Sequence, residues 1–159
     1  MLSGGGSQED AIRVAASGLD NVQLLGVQPE GMHASLLAAA DALLLSERST
    51  QVDMSLPSKL TSYYAAGRPI VAAVGMAGAS AEEVRRSGSG LVVSAGQPEA
   101  MLEALNQLRS KPGLASRLGR AGRSYGAGHA SASSGLARGA EFIDMIALDR
   151  PRLALESAA

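Results

Sequence analysis

A serine and a lysine, Ser58 and Lys59, follow Pro57 and precede an apolar stretch that ends at Gly67. Proline is common in the first turn of a helix and glycine just past its end, so the pattern predicts a helix that begins at this pair. Unpaired N–H groups and the positive end of the helix dipole favour an anion there. An ammonium and a hydroxyl at that pole would suit a diphosphate. The structural alternative is that Ser58 caps the helix and Lys59 is a solvated charge.

The glycine run "GGGS" near the amino terminus is a second candidate for phosphate or sugar binding. Glycines before a helix allow a ligand close to the backbone, but any tight strand-to-helix turn uses them too. Ser7, followed by Asp10, predicts the N-cap of a helix that runs to about Ser17. Both interpretations of the glycines stay open at this point.

The sequence argues against metal and nucleic-acid sites. Cysteine is absent, and neither His33 nor His129 has a His or carboxylate at ligand spacing, so we expect no metal and no cofactor. Asp41 could be catalytic, although an Asp between a helix and a strand is more often a turn residue. The net charge is −1, and the arginines between Arg109 and Arg123 lack interleaved aromatic residues, so nucleic acid is not an expected partner.

Short apolar segments alternate with helical segments of about ten residues, which predicts a doubly wound parallel sheet of the α/β class, a Rossmann-like three-layer sandwich. The predicted strands are Val22–Gly26, Asp41–Ser46, Pro69–Val74 and Gly90–Ser94. In this class ligands bind beyond the carboxyl ends of the strands. The loops after Leu2, Gly26, Ser46, Val74 and Ser94 should therefore lie along one edge.

The remaining helices are predicted from their caps and prolines. Ser80 with Glu83 has the form of a capping box for a helix to about Ser87. Further helices are predicted after Pro29–Glu30, over Pro98–Ser110, from Pro112 to about Gly122, and over Ser131–Asp149. With 159 residues, 46% of them hydrophobic, the chain should form one domain. Residues 151–159 are expected to be a disordered tail.

Several motifs in order carry a resemblance to a known family: "NVQLLGV", "LLAAADALLLS", "PSKLTSYYAAGRPIVAAV", "GSGLVVSAGQPEAMLEAL" and "LASRLGRAGRSY". Over roughly residues 4 to 145 they resemble the carboxyl-terminal half of family 4 glycosyltransferases of the GT-B fold. The likeness is greatest to bacterial enzymes of exopolysaccharide, colanic-acid and O-antigen assembly. The resemblance implies the donor-binding domain of a retaining transferase, with a UDP-sugar as the expected donor.

The resemblance also implies roles for individual residues. Pro57, Ser58, Lys59 and the backbone at Leu60 would hold the distal phosphate, and Lys59 would stabilise the leaving diphosphate without a metal ion. Gly26 and Val27 would border the nucleobase, and Gly5 and Gly6 would face the donor. Ser62 stands where many relatives have a Glu that binds the ribose. A second Glu of the family would fall near Asp53 or Met54.

The family's donor domain opens with a strand and a helix that carry an Arg and a Lys, after an acceptor-binding domain. Neither is recognised in this sequence, and Met1–Leu2–Ser3 is similar to the end of the second strand. We therefore expect residues 1–150 to be an incomplete donor domain that is inactive alone and could form homo-oligomers through an exposed sheet edge.

The sequence also predicts where the protein is located and leaves two alternative functions open. No apolar run approaches the length of a membrane-spanning helix, and the start lacks the features of a signal peptide, so a cytoplasmic location is expected. A peripheral position at the inner face of the membrane is compatible with this in a full-length enzyme. The alternatives are a GT-B-like nucleotide-sugar epimerase domain and a non-catalytic nucleotide-binding or assembly module.

Overall fold

The computed structural model describes residues 1–48 and 57–129, together with Leu136 and Ala140. Helices and strands alternate along most of this part of the chain. In chain order they are α1 (Glu9–Ala15), α2 (Glu30–Ala39), β1 (Leu43–Ser46), α3 (Lys59–Ala66), β2 (Ile70–Val74), α4 (Ala79–Ser87), β3 (Gly90–Ser94), α5 (Pro98–Ser110) and α6 (Pro112–His129).

The three strands form one parallel sheet with β2 in the centre. Leu43 of β1 pairs with Ile70, and Ile70 pairs with Gly90 of β3. All five residues of β2 are buried, as expected for a strand with neighbours on both edges and helices on both faces. Each crossover between strands includes a helix, as parallel pairing requires.

Helices cover both faces of the sheet. On one face, Ile70, Ala72 and Val74 pack with residues of α3 and α4. On the other face, Val71 packs with Leu108 of α5 and with residues of α6. The described part is therefore a three-layer α/β sandwich, and the predicted fold class is confirmed.

Helix α6 lies close to the end of α3 at two glycines, Gly119 and Gly67. Gly67 ends α3 in the left-handed conformation with φ +67°. A Cβ on Gly119 of α6 would lie 2.3 Å from the Gly67 carbonyl oxygen, which is too close for any side chain. Only glycine at position 119 lets α6 lie directly against the end of α3.

Two amino-terminal predictions are wrong. The segment Val22–Gly26 is not a regular strand, because its only ladder contact in the described residues is a parallel bridge between Leu24 and Leu2. The two segments pair at one position only, and a single bridge does not make a ladder. Ser7 does not cap α1, which begins at Glu9 after Gln8 and has no side-chain capping hydrogen bond.

The predicted capping box at Ser80 is also wrong. Gly78 is the N-cap of α4, and Ser80 lies one residue inside the helix, where its hydroxyl donates to a carboxylate oxygen of Glu47 at 2.6 Å. Glu83 pairs with Arg86 instead of returning to the helix start. The reason is positional: the helix begins early enough for Ser80 to be buried against β1's end.

The carboxyl-terminal predictions are tested only in part. Helix α6 extends to His129, beyond the predicted end near Gly122. Apart from Leu136 and Ala140, the predicted helix Ser131–Asp149 lies outside the described residues, as does the predicted tail 151–159.

Candidate functional site

The serine–lysine pair stands at the start of α3, as predicted. Ser58 is the N-cap residue and Lys59 the first helical residue, and both are exposed. The Ser58 hydroxyl makes no capping hydrogen bond, so the alternative that it serves as a side-chain cap is not supported. The hydroxyl and the ammonium can therefore both be used by a ligand at the positive pole of the helix.

Leu60 and Pro57 hold this turn in place. The Leu60 side chain is buried in the core at 3% exposure, which anchors the first turn of α3 to the sheet. The Leu60 N–H donates to the Pro57 carbonyl oxygen at 3.1 Å. A phosphate that took the Leu60 N–H would have to replace this bond.

Ser58, Lys59 and Ser62 line one side of an open groove of about 850 Å³. The first residues of the chain, helix α2 and strand β1 also line the groove. Other lining residues include Met1, Leu2, Ser3, His33, Leu36, Leu37, Asp41, Leu44 and Tyr63.

The glycine turn and Gly26 come together, as predicted. The Gly4 N–H donates to the Gly26 carbonyl oxygen at 2.7 Å, and the Ser3 hydroxyl donates to the same oxygen at 3.1 Å. Gly26 has φ +63°, a left-handed conformation that suits glycine. A Cβ built on Gly5 would lie 3.2 Å from a Val27 methyl, so these two segments are in contact.

This second group surrounds a smaller cavity of about 240 Å³. It is lined by Gly4, Gly5, Gly6 and Gly26, together with Glu9 and Ile12 of α1. Val27 is 79% exposed. The predicted residues therefore fall into two groups, one at α3 and one at the glycine turn.

Leu2 and Ser3 line both cavities and connect the two groups. Sequence reasoning assigned them no role at the site. The available signal was the resemblance of Met1–Leu2–Ser3 to a strand end. Because strand ends carry the ligand loops in parallel sheets, their position beside both cavities follows from the fold.

Tyr63 is another groove residue that sequence reasoning missed. Its hydroxyl donates to the Leu44 carbonyl oxygen at 2.9 Å. Burial raises the pKa of Tyr63 above its usual value, because the charged phenolate would lose water. The hydroxyl therefore remains a donor at neutral pH.

The other candidate residues from the sequence, His33 and Asp41, do not belong to a metal-binding cluster in the described part of the chain. His33 and Asp41 line the α2 end of the groove, and no group of three or more potential metal ligands occurs among the described residues. Asp53 and Met54 lie outside the described residues. Within residues 1–48 and 57–129, no helix is both long and apolar enough to cross a membrane.

Residues 1–111, more than two thirds of the chain, match the family described as "Glycosyl transferases group 1". The chain belongs to the group 1 glycosyl transferases. No curated protein matches this group 1 glycosyl transferase chain.

Solved structures share the fold. The HepE protein of Anabaena (Alr3699) in complex with UDP-glucose superimposes with a TM-score of 0.71 at 18% identity. The same protein in complex with UDP gives 0.73 at 16% identity, and with UDP and glucose 0.72 at 17% identity. In each case the match covers 91% of this chain and 40% of the HepE chain. This chain thus spans less than half the length of those structures.

Proposed function

We propose that this chain is the donor-binding part of a retaining glycosyltransferase of family 4 that uses a UDP-sugar in the synthesis of bacterial surface polysaccharide. The observation that carries the proposal is the start of α3, where the uncapped Ser58 hydroxyl and the exposed Lys59 meet a helix pole beside a groove. The HepE complexes with UDP and UDP-glucose support the choice of nucleotide, since they share this fold.

The reaction would depend on stabilising the departing diphosphate. When the bond from the sugar to the diphosphate breaks, negative charge gathers on the leaving group. The Lys59 ammonium would neutralise part of it, and the Ser58 hydroxyl and the first N–H groups of α3 would donate hydrogen bonds to its oxygens. These groups supply positive charge at the place where a divalent ion acts in other transferases, so the proposed mechanism needs no metal.

The glycine turn would bind the rest of the donor. Gly26 and Val27 would border the uracil, and Gly5 and Gly6 would allow the donor to approach the backbone. The close approach of Gly5 to Val27, beside the small cavity that Gly5, Gly6 and Gly26 line, supports this assignment, because both segments can meet one ligand. Ser62, which lies one helical turn beyond Ser58 and lines the same groove, would donate to a ribose hydroxyl.

The activity of the whole enzyme would require more chain than these 159 residues. In the proposal, residues 1–150 belong to a donor domain whose opening strand, helix and acceptor-binding domain lie in a longer polypeptide in the cytoplasm. The match to only 40% of HepE supports this. By itself the chain should bind the donor and transfer no sugar, because the proposal places the acceptor site in the other domain.

Calorimetric titration with UDP, UDP-glucose, GDP and ADP tests the donor assignment. We expect weak binding that favours the uridine nucleotides and is unchanged by EDTA. The same heat for all four nucleotides, or none, would remove the assignment. A loss of UDP affinity in EDTA would contradict only the metal-free mechanism.

A further inference from the structure

Glu9 places an unpaired carboxylate oxygen beside the glycine turn. One oxygen, Oε1, accepts from the Arg13 guanidinium at 3.0 Å, whereas no donor in the described part of the chain bonds to Oε2. The point where a Cβ of Gly5 would stand is 3.4 Å from Oε2 and 3.2 Å from a methyl of Val27. The carboxylate and the Val27 side chain therefore lie close together over the bare backbone of Gly5.

This carboxylate is anchored at the small cavity. Glu9 is the first residue of α1, and its N–H donates to the Gly6 carbonyl oxygen at 3.0 Å, which ties its backbone to the glycine turn. Arg13, four residues further along α1, holds Oε1. Glu9 is also one of the residues that line the small cavity. A group fixed at its backbone and at one oxygen can offer the other oxygen to a ligand in a defined direction.

An ordinary surface ion pair would account for the contact with Arg13. Pairs at positions i and i+4 of a helix are common and contribute little to stability. Such a pair does not account for the second oxygen, for the cavity beside it, or for the apolar side chains around it. Leu2, Ile12 and Val27 are all exposed. Apolar surface around a few polar groups is typical of a small-molecule site.

A pyrimidine base matches this combination. Its flat faces suit apolar side chains such as Ile12 and Leu24, which line the cavity, and its edge carries the hydrogen-bonding groups. Uracil has an imino N–H at N3 between two carbonyl oxygens, whereas cytosine has an acceptor nitrogen at the same place. A carboxylate only accepts hydrogen bonds. It can therefore pair with the N3–H of uracil, but it would face the lone pair of cytosine N3.

Gln8 supplies a donor beside this acceptor. Its side chain lines the same cavity and does not cap α1, since that helix has no side-chain capping hydrogen bond. The Gln8 amide can donate to a carbonyl oxygen of the base next to the N–H that Glu9 accepts. A donor and an acceptor on neighbouring residues thus match two adjacent groups on the edge of uracil.

We propose that Glu9 determines the base specificity of the donor site: its Oε2 accepts a hydrogen bond from the imino N–H of uracil, and cytosine, which lacks this N–H, is rejected. Glu9 binds the edge of the base that Gly26 and Val27 border in the proposed donor site, on which this inference rests. Guanine has an imino N–H as well, so Glu9 decides between uracil and cytosine. Ser58 and Lys59 line the other cavity, which allows their effects on binding to be separated from that of Glu9.

UDP and CDP are a matched pair for the test, because they differ only at the edge of the base. Calorimetry on the intact chain gives the ratio of their dissociation constants, from which the ribose and diphosphate contributions cancel. We expect the wild type to bind UDP about tenfold or more tighter than CDP, from the range for a hydrogen bond to a charged group. Glu9→Gln should bring the ratio to about one, since a side-chain amide can accept from uracil and donate to cytosine.

Three further variants control for charge, for the phosphate site and for folding. Asp10→Asn removes the same charge from the next residue of α1, which is exposed, and should leave the ratio unchanged. Lys59→Ala should weaken both nucleotides by the same factor. Glu9→Asp keeps a carboxylate and should still favour UDP, and Glu9→Ala, which can neither accept nor donate, should lose the preference even if Glu9→Gln folds poorly.

The proposal is overturned if the wild type does not prefer UDP to CDP, or if Glu9→Gln and Glu9→Ala keep the wild-type preference; UDP binding in either case would leave the proposed donor site in place. An equal fall in the ratio with Asp10→Asn would assign the effect to general charge and would contradict it too. If the wild type binds neither nucleotide, the proposed function fails and the role of Glu9 fails with it.

Discussion

Strand β2 and the segment Val22–Gly26 have similar apolar sequences, "IVAAV" and "VQLLG", and very different environments. Every residue of β2 is buried, between two strands and two helical layers. Among the first 42 residues, leaving Glu30 aside, none is buried, and Leu24 has a single bridge. The difference shows that an apolar sequence does not by itself make a strand. β1 and β3 pair along one edge over four and five residues, whereas Leu24 has one bridge and too little around it to form a core.

The candidate site spans both regions. Ser58 and Lys59 are anchored to the packed region through Leu60, whereas Gly5 and Gly26 belong to the loosely packed one. Matched substitutions in the two regions, or within one of them, should therefore change stability or UDP binding by unequal amounts.

The largest expected difference is between two isoleucine truncations. Ile70→Ala should lower the free energy of unfolding by about 2–5 kcal/mol, because Ile70 is fully buried in the sheet. Ile12→Ala in α1 should cost less than about 1 kcal/mol, since Ile12 is 41% exposed and alanine favours a helix. Urea unfolding of both variants measures this. Equal losses would mean that the amino-terminal region is packed as tightly as the sheet.

Two lysine substitutions distinguish a phosphate-binding role of Lys59 from a general effect of removing one positive charge. Lys59→Ala should weaken UDP binding by about 1.5–3 kcal/mol, the range for a hydrogen bond to a charged group, and leave uridine binding nearly unchanged. Lys111→Ala removes the other lysine of the chain, at the end of α5, and should not affect either ligand. Calorimetry with UDP and uridine provides the measurement. If Lys59→Ala binds UDP as the wild type does, Lys59 is a solvated charge.

Two glycines of α6 give a smaller effect. Gly119→Ala should destabilise the fold by about 1–3 kcal/mol, because the new methyl would meet the Gly67 carbonyl oxygen. Gly113→Ala, with open space around it, should be neutral or stabilise by up to about 1 kcal/mol through helix propensity. Thermal unfolding distinguishes them. A neutral Gly119→Ala would show that α3 and α6 can move apart without cost.

The smallest effect is expected at Tyr64, the buried tyrosine of α3. Its hydroxyl makes no hydrogen bond of good geometry within the described residues, although the nearby Ser87 and Ser89 hydroxyls lower its pKa, so Tyr64→Phe should be neutral or stabilise by up to about 1 kcal/mol. Burial, chiefly, raises the Tyr64 pKa above its usual value. The folded state thus holds this proton more tightly, and the stability it contributes below pH ~10 is lost as pH rises through the folded pKa.

The phenylalanine variant should therefore lose less stability above pH ~10 than the wild type does. Urea unfolding at pH 7 and at alkaline pH compares the two proteins. The same alkaline loss in both would assign the effect to other groups, such as Tyr63 and Tyr125, whose pKa values are also raised by burial.

Short-range sequence preferences determined where several helices and strands around the β-sheet begin and end. The β-branched and apolar run of β2, Pro98 at the start of α5, and Gly67 at the end of α3 each fix an element through backbone preferences that act within a few residues. For that reason Gly90–Ser94 and Pro98–Ser110 were predicted with the bounds that the structure has. The pair Ser58–Lys59 was placed at a helix start for the same reason.

The tertiary structure alone decided the rest. Ser80 has the sequence of a cap, but it lies inside α4, where its hydroxyl donates a hydrogen bond to Glu47, 33 residues earlier. The segment around Leu24 has a strand's composition, but its one described partner, at Leu2, pairs with it at a single position. Leu2 lines both cavities because distant parts of the chain fold next to it. Local preference sets where an element can begin and end, whereas burial and pairing require partners whose positions only the folded chain provides.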